Sequence, residues 1–231
     1  MNIIVPKVEQ VADFGAEEPF VARIFMGLSE VLDATEFEEK EKIKESVMGI
    51  FINGLLPAFS YLRELRDIES GKKERLVVDL NKAYVGFYDR LWVAYKDQMQ
   101  KVIKLLDFDL GFIFKDDKKF EKGCKEFVNN YPNIRVEFIE QIKKNRIAWQ
   151  TQVARFRNDY SQHQSIYEDD VREMLSLKTA EVCFENCWTL IEFILAHLMC
   201  TKLYPWVRIE EIPKEKRDSS APKKFKILYK I

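Results

Sequence analysis

NIRVEFIEQIKKNRIAWQTQVARFRNDYSQHQ, residues 133–164, is the stretch whose reading decides the fold. Ile139, Ile142, Arg146, Trp149, Val153, Phe156, Tyr160 and His163 recur at alternating spacings of three and four, which stacks them along one face of an α-helix. No glycine or proline interrupts the run. Such a seam needs facing helices to cover it, so the segment predicts a helical bundle rather than a sheet protein.

The rest of the chain repeats that signal. Only 8 Gly and 7 Pro punctuate 231 residues, too few for many short strands that each need a turn. A first helix is expected from Pro19 to Asp33, with Phe20, Ile24, Leu28, Val31 and Leu32 on its inner face. Thr35 and Glu38 form a capping box that opens a second helix to about Glu69, with a kink or break near Asn53 imposed by Gly49, Gly54 and Pro57. Apolar positions 76, 80, 83, 87, 91 and 94, Gln98, then 102 and 105 predict a rod from Lys73 to Leu106, roughly 50 Å long. Phe112-Ile113-Phe114 reads as a loop packed on the bundle. Asp116 or Asp117 caps a short helix ending before Tyr131-Pro132, and the acidic Glu168-Asp169-Asp170 opens a last helix reaching about Tyr204.

The domain reading is therefore an extended arm at 1–18, an all-α up-and-down bundle of long helices at 19–204, and a basic tail or small β-hairpin at 205–231. Alternating apolar and polar residues at Val207-Arg-Ile-Glu and Phe225-Lys-Ile-Leu-Tyr-Lys-Ile suggest the hairpin. A hydrophobic fraction of 47% supports a folded core and excludes a disordered chain. The net charge of −1 hides an asymmetry: residues 1–70 carry seven basic and fourteen acidic side chains, residues 205–231 eight and four. An anionic partner is expected on the later half. The first residues lack a basic n-region and an apolar run, and the cysteines at 124, 183, 187 and 200 make no disulfide framework; both point to a cytoplasmic protein with reduced thiols. The apolar stretch from Cys187 to Cys200 contains Glu192 and His197 and is too short to cross a bilayer, so no membrane association is expected.

Chemistry concentrates in Arg157-Asn158-Asp159-Tyr160-Ser161-Gln162-His163. Arginine presents a rigid fork of donors matched to phosphate oxygens and keeps its charge; histidine titrates near neutrality and moves protons. The pair suits RNA cleavage, in which the ribose 2′-OH attacks the neighbouring phosphate and a proton carrier with a charge stabiliser suffices without a metal. On a straight helix six residues leave Arg157 and His163 about 120° apart with a rise of about 9 Å. Either the helix breaks after about Asp159, or two copies of the segment meet across a two-fold axis.

Arginine, a polar second residue and a later histidine, on a late helix of an all-helical domain, resemble the R-x4-6-H motif of the HEPN superfamily. The specific match covers Arg157 to His163; helix order and length agree more loosely over 133–204. The resemblance implies a homodimeric helical bundle acting as a metal-independent endoribonuclease on single-stranded RNA, in a stress or defence setting such as toxin–antitoxin or phage defence. It implies no cofactor, and an antitoxin or nucleotidyltransferase as a further partner. It assigns phosphate binding to Arg157, general acid–base chemistry to His163 and orientation to Asn158, with Asp159 and Tyr160 in supporting positions. Gln162 and Gln164 stand where small residues or a second histidine often flank the motif histidine. Other members of the superfamily keep the fold as non-catalytic modules that bind a nucleotide or a partner, which is the alternative reading.

The remaining candidates have plain explanations. His163 also fits the seam as a packed histidine, with Arg157 solvated nearby. His197 lies among Ile194, Leu198 and Met199 and reads as a hydrogen-bonded core residue. Cys183 and Cys187 share a helix face but lack CxxC spacing, so no zinc site is expected. The chain contains no Glu-x-x-His pair for a carboxylate-bridged metal centre. Between Lys143 and His163 five basic residues interleave with Trp149, Phe156 and Tyr160, a weak nucleic-acid signature whose aromatics are explained by packing.

Overall fold

A proline inside a helix crowds the carbonyl four residues before it, and Pro57 lies within α1, Lys40–Glu69. In the computed structural model, which describes residues 7–9, 32–33, 38–73, 77–134, 136–158, 174–202, 207–211, 213–216 and 225–229, the helix passes the proline without breaking. It opens into a wider π-helical turn at Phe51–Leu55, closed by Leu56 N–H donating to Phe51 O. The break expected near Asn53 is thus a π turn, because the extra residue in the turn moves the carbonyls away from the pyrrolidine ring. Gly54 sits in that turn for a second reason: a Cβ there would lie 2.4 Å from the Cβ of Ala94.

Helix α2 contains the same device. Its segments Val77–Trp92 and Met99–Leu105 flank a π turn at Val93–Gln98, with Met99 N–H donating to Ala94 O. Helix α3, Asp117–Asn130, starts as expected at Asp116, whose carboxylate accepts from Lys119 N–H at 3.1 Å. Before it, Gly111–Phe114 makes a 3₁₀ turn with Ile113 buried. Helix α4 runs through Val136–Asn145, a π turn at Arg146–Gln150 and Thr151–Phe156; Thr151 N–H donates to Arg146 O. Helix α5 is Leu177–Lys202.

Each π turn adds a residue to the helix count, and around the turns of α2 and α4 some buried positions move by one. In α2 the expected set holds at Ala83, Phe87, Leu91 and Ala94. Beyond the turn Val102 is buried as expected, while Met99 and Leu106 are buried where the spacing pointed to Gln98 and Leu105. In α4 Trp149, Val153 and Phe156 are buried as the seam requires. Ahead of them Ile142 is buried as expected, together with Phe138 and Asn145, while Ile139 and Arg146 are half-buried. Asn145 is accommodated by hydrogen bonding: it accepts from Trp149 Nε1 at 2.9 Å and donates to Gln141 O at 2.9 Å.

The chain forms two compact units, one of 49–99 with 140–190 and one of 1–48, 100–139 and 191–231. In the first, aromatic contacts join the helices: Phe51 meets Trp188 edge-on at 5.4 Å, Phe59 and Phe87 both approach Phe184, and Tyr95 meets Trp149 at 5.0 Å. Arg66 pairs with Glu181 at 2.8 Å. In the second unit, Phe127 stacks on Phe138 at 5.7 Å, and Phe138 stacks on Phe193 at 5.9 Å. His197 is buried there, with Nδ1 2.8 Å from Phe193 O, a hydrogen-bonded core histidine.

This second unit also holds a three-stranded antiparallel sheet of β1 (Lys7–Glu9), β2 (Val207–Glu211) and β3 (Phe225–Tyr229), in the order β1-β3-β2. Ile227 pairs with Val8 on one side and Ile209 on the other. Part of the segment read as an extended arm, Lys7–Glu9, is therefore a strand paired with β3. Of the first expected helix only Leu32 and Asp33 are described, and both are helical; Thr35 lies outside the described residues. All-α is the correct class for the body of the protein.

All four cysteines are free and buried, and burial pushes the Cys183 and Cys200 thiols up to about 12. By length and composition α1 and α5 are both apolar enough to span a bilayer, but 78% of the most apolar window of α5 is buried within the protein, as a core helix requires. Glu192 is buried in α5 with no charged partner among the described residues, and burial pushes its carboxyl up to about 8.

Two outcomes follow. Gly54→Ala places its methyl against Ala94 and is expected to cost about 1–3 kcal/mol, the usual range for overpacking, in urea denaturation; unchanged stability would mean that α1 and α2 are not in close contact there. Glu192 binds its proton more tightly folded than unfolded, so it makes stability fall as pH rises from about 4.5 to about 8. Glu192→Gln is expected to flatten that decline, and a wild-type melting temperature rising across the same window would contradict the burial.

Candidate functional site

The candidate site grows out of a packing contact. Tyr88 of α2 and Phe156 of α4 meet with ring centroids 4.7 Å apart, and both are buried. Tyr88 is fixed further by its hydroxyl, which donates to Met174 O at 2.8 Å, and burial raises the phenol far above its usual range. With these rings locked, the next residue on each helix is set as well. Asp89 follows Tyr88 and Arg157 follows Phe156, and their side chains form an ion pair with Nε 3.4 Å from Oδ1.

Both partners are partly solvated, at 33% for the Arg157 side chain and 39% for Asp89. Arg157 remains helical at φ −61° and ψ −45°, with its N–H donating to Val153 O and Ala154 O. Asn158 is exposed and continues the π-helical backbone beyond Phe156. An arginine engaged through Nε keeps its terminal Nη1–Nη2 edge for a second anion, because the planar guanidinium offers donors on separate edges. The arrangement can therefore present a fixed cation to a phosphate at the solvent boundary.

Arg157 and Asn158 are thus adjacent at one end of the described part of α4. Asp159, Tyr160 and His163 lie outside the described residues. Asp89 was not legible as a site residue, since it belongs to another helix and nothing in its local sequence distinguishes it from other surface acids. Its one signal is position: it follows a tyrosine of the buried α2 face, as Arg157 follows a phenylalanine of the α4 face.

Among the described residues no three His, Cys, Asp or Glu side chains are grouped to hold a metal ion. Comparison with family models, with curated proteins and with solved structures finds no match to this chain.

A partly solvated ion pair at this distance contributes little to folding, on the order of 0–1 kcal/mol. Asp89→Asn is therefore expected to lower unfolding free energy by less than about 1 kcal/mol in urea denaturation. A loss above about 3 kcal/mol would make the pair a buried structural bridge instead.

Proposed function

We propose that this chain is a HEPN-like endoribonuclease that cleaves single-stranded RNA without a metal. Arg157 holds and neutralises the scissile phosphate. His163 takes the proton from the ribose 2′-OH as the 2′-oxygen attacks phosphorus, and delivers a proton to the departing 5′-oxygen as the P–O5′ bond breaks. The products are a 2′,3′-cyclic phosphate and a 5′-OH end, so atoms and charge balance with no further reactant. Asn158 orients the phosphate or the guanidinium, and Asp159 and Tyr160 support the segment.

The observation that carries this reading is the Arg157 guanidinium, tethered at Nε by Asp89 and half open to solvent. A phosphate-binding arginine needs this combination, because a free side chain would lose conformational entropy on binding and a fully buried one would exclude the substrate. The proposal includes a homodimer, since six residues of one straight helix leave the two motif side chains on different faces and a two-fold partner supplies the missing half. A cytoplasmic setting in a stress or defence system, with an antitoxin or nucleotidyltransferase as partner, completes it.

A second reading is favoured by the same ion pair. Asp89 satisfies part of the Arg157 charge internally, which suits a non-catalytic module that uses the segment to bind a nucleotide or a partner.

Incubating the purified chain with a mixed RNA pool in excess chelator separates the two. Wild type is expected to generate cyclic-phosphate ends, and Arg157→Ala and His163→Ala are each expected to slow cleavage at least about 100-fold. Equal cleavage by all three proteins, or cleavage by none, would remove the nuclease proposal.

A further inference from the structure

The cleavage proposal uses Asp89 only as a tether, yet its carboxylate also carries a charge into the site. It lies 3.4 Å from Arg157 Nε, so these two side chains together have no net charge. Neither is sealed off from water, with Arg157 33% exposed and Asp89 39%. The buried contact of Tyr88 with Phe156 holds their backbones in place, so the carboxylate does not swing away when a ligand arrives. A phosphate on the far edge of the guanidinium is one guanidinium width from Asp89. That separation is comparable with the Debye length of about 8 Å at physiological salt, so the phosphate meets the field of both residues.

Phosphates of RNA come in two charge states. An internal phosphodiester carries one negative charge, whereas a terminal phosphomonoester, with its second pKa near 6, carries nearly two at neutral pH. Attraction to the guanidinium grows in proportion to the ligand's charge, and repulsion from the neighbouring carboxylate grows with it, so an added charge gains only the difference. The cost of drawing the ligand out of water grows faster, as the square of its charge in Born's relation. A lone arginine favours the second charge; an arginine paired with an aspartate gives that charge little and leaves its desolvation uncompensated.

We infer that Asp89 makes the Arg157 site selective for singly charged phosphodiesters, the linkages inside an RNA chain, over the doubly charged phosphates of chain ends and mononucleotides. The inference rests on the cleavage proposal for the place of the phosphate and adds the class of phosphate taken. It gives the site a reason to engage a chain internally, as an endonuclease does. It also divides the two readings of the segment, since a mononucleotide presents the dianion that Asp89 opposes.

The test compares two ligands that differ by one methyl group and one charge: deoxythymidine 3′-phosphate and its methyl ester, neither of which has a 2′-OH to attack. Each is titrated into the full chain at about pH 7.5, where the monoester is close to doubly charged, and binding is read from the backbone amide signals of Arg157 and Asn158 by NMR. Asp89→Asn removes the charge and keeps an acceptor oxygen for Arg157 Nε, so the tether survives. Wild type is expected to bind the diester at least as tightly as the monoester. In Asp89→Asn the monoester is expected to bind about tenfold more tightly and the diester about threefold, so the preference moves to the monoester. A loss of tethering alone would change both affinities by one factor and leave their ratio fixed. Asp97→Asn, which removes an exposed acid eight positions further along α2, is expected to keep the wild-type ratio.

An unchanged ratio in Asp89→Asn, or an equal change in Asp97→Asn, would overturn the selectivity. Wild type binding the monoester about tenfold more tightly than the diester would overturn it as well. Amide signals indifferent to both ligands would remove the phosphate site and the selectivity with it. If the ratio stays fixed in Asp89→Asn while Arg157→Ala abolishes RNA cleavage, the selectivity fails and the nuclease reading stands. If the ratio moves as expected while wild type cleaves no RNA, the selectivity stands and the nuclease reading fails.

Discussion

The rings of Tyr88 and Phe156 can meet at 4.7 Å only if α2 and α4 run past each other in one particular register. That register is held by the buried rings themselves and by the neighbouring contact of Tyr95 with Trp149 at 5.0 Å, while the Tyr88 hydroxyl on Met174 O fixes the tyrosine ring. Sliding either helix by one residue would rotate its side chains by about 100° and withdraw the aromatic faces. The placement of Arg157 beside Asp89 is a consequence of this packing rather than its cause, since a half-exposed ion pair contributes too little to position two helices. Core aromatics set the geometry, and the adjacent charged residues inherit it.

The helices themselves were legible because apolar spacing of three and four is strong over long runs. The cap at Asp116 was legible for a local reason, a short acceptor side chain reaching a free N–H three residues on. What the spacing did not carry was the π turn. In α2 and in α4 it inserts one residue, so buried positions near the turn move by one while others, Val102 and Ile142 among them, stay where the spacing put them. Gln98 yields to Met99, and Arg146 to Asn145. In α1 the disturbance was visible, as Gly54 and Pro57, but not its form: a widened turn satisfies the proline with less loss of hydrogen bonding than a break.

The site was half legible. Arg157 and Asn158 stood out because guanidinium, carboxamide and imidazole groups crowd into seven residues, and the structure keeps the first two adjacent at the edge of the core. Asp89 was invisible, because its significance is entirely tertiary. The nucleic-acid signature also changes meaning. The interleaved aromatics Trp149 and Phe156 are core, as packing suggested, while Lys144 and Arg155 are exposed and Lys143, Arg146 and Arg157 half-buried on the same helix.

The central claim is that Arg157 and His163 act on one phosphate, and the composition makes a direct measurement possible, for the chain contains only two histidines. Ring signals of His163 and of the buried His197 are separable by NMR in wild type and in His163→Ala. On adding a 2′-deoxy oligonucleotide, the account predicts that the His163 ring signals move in wild type and stay unmoved in Arg157→Ala, with those of His197 constant in both. His163 signals indifferent to the oligonucleotide in wild type, or responding equally without the arginine, would contradict it.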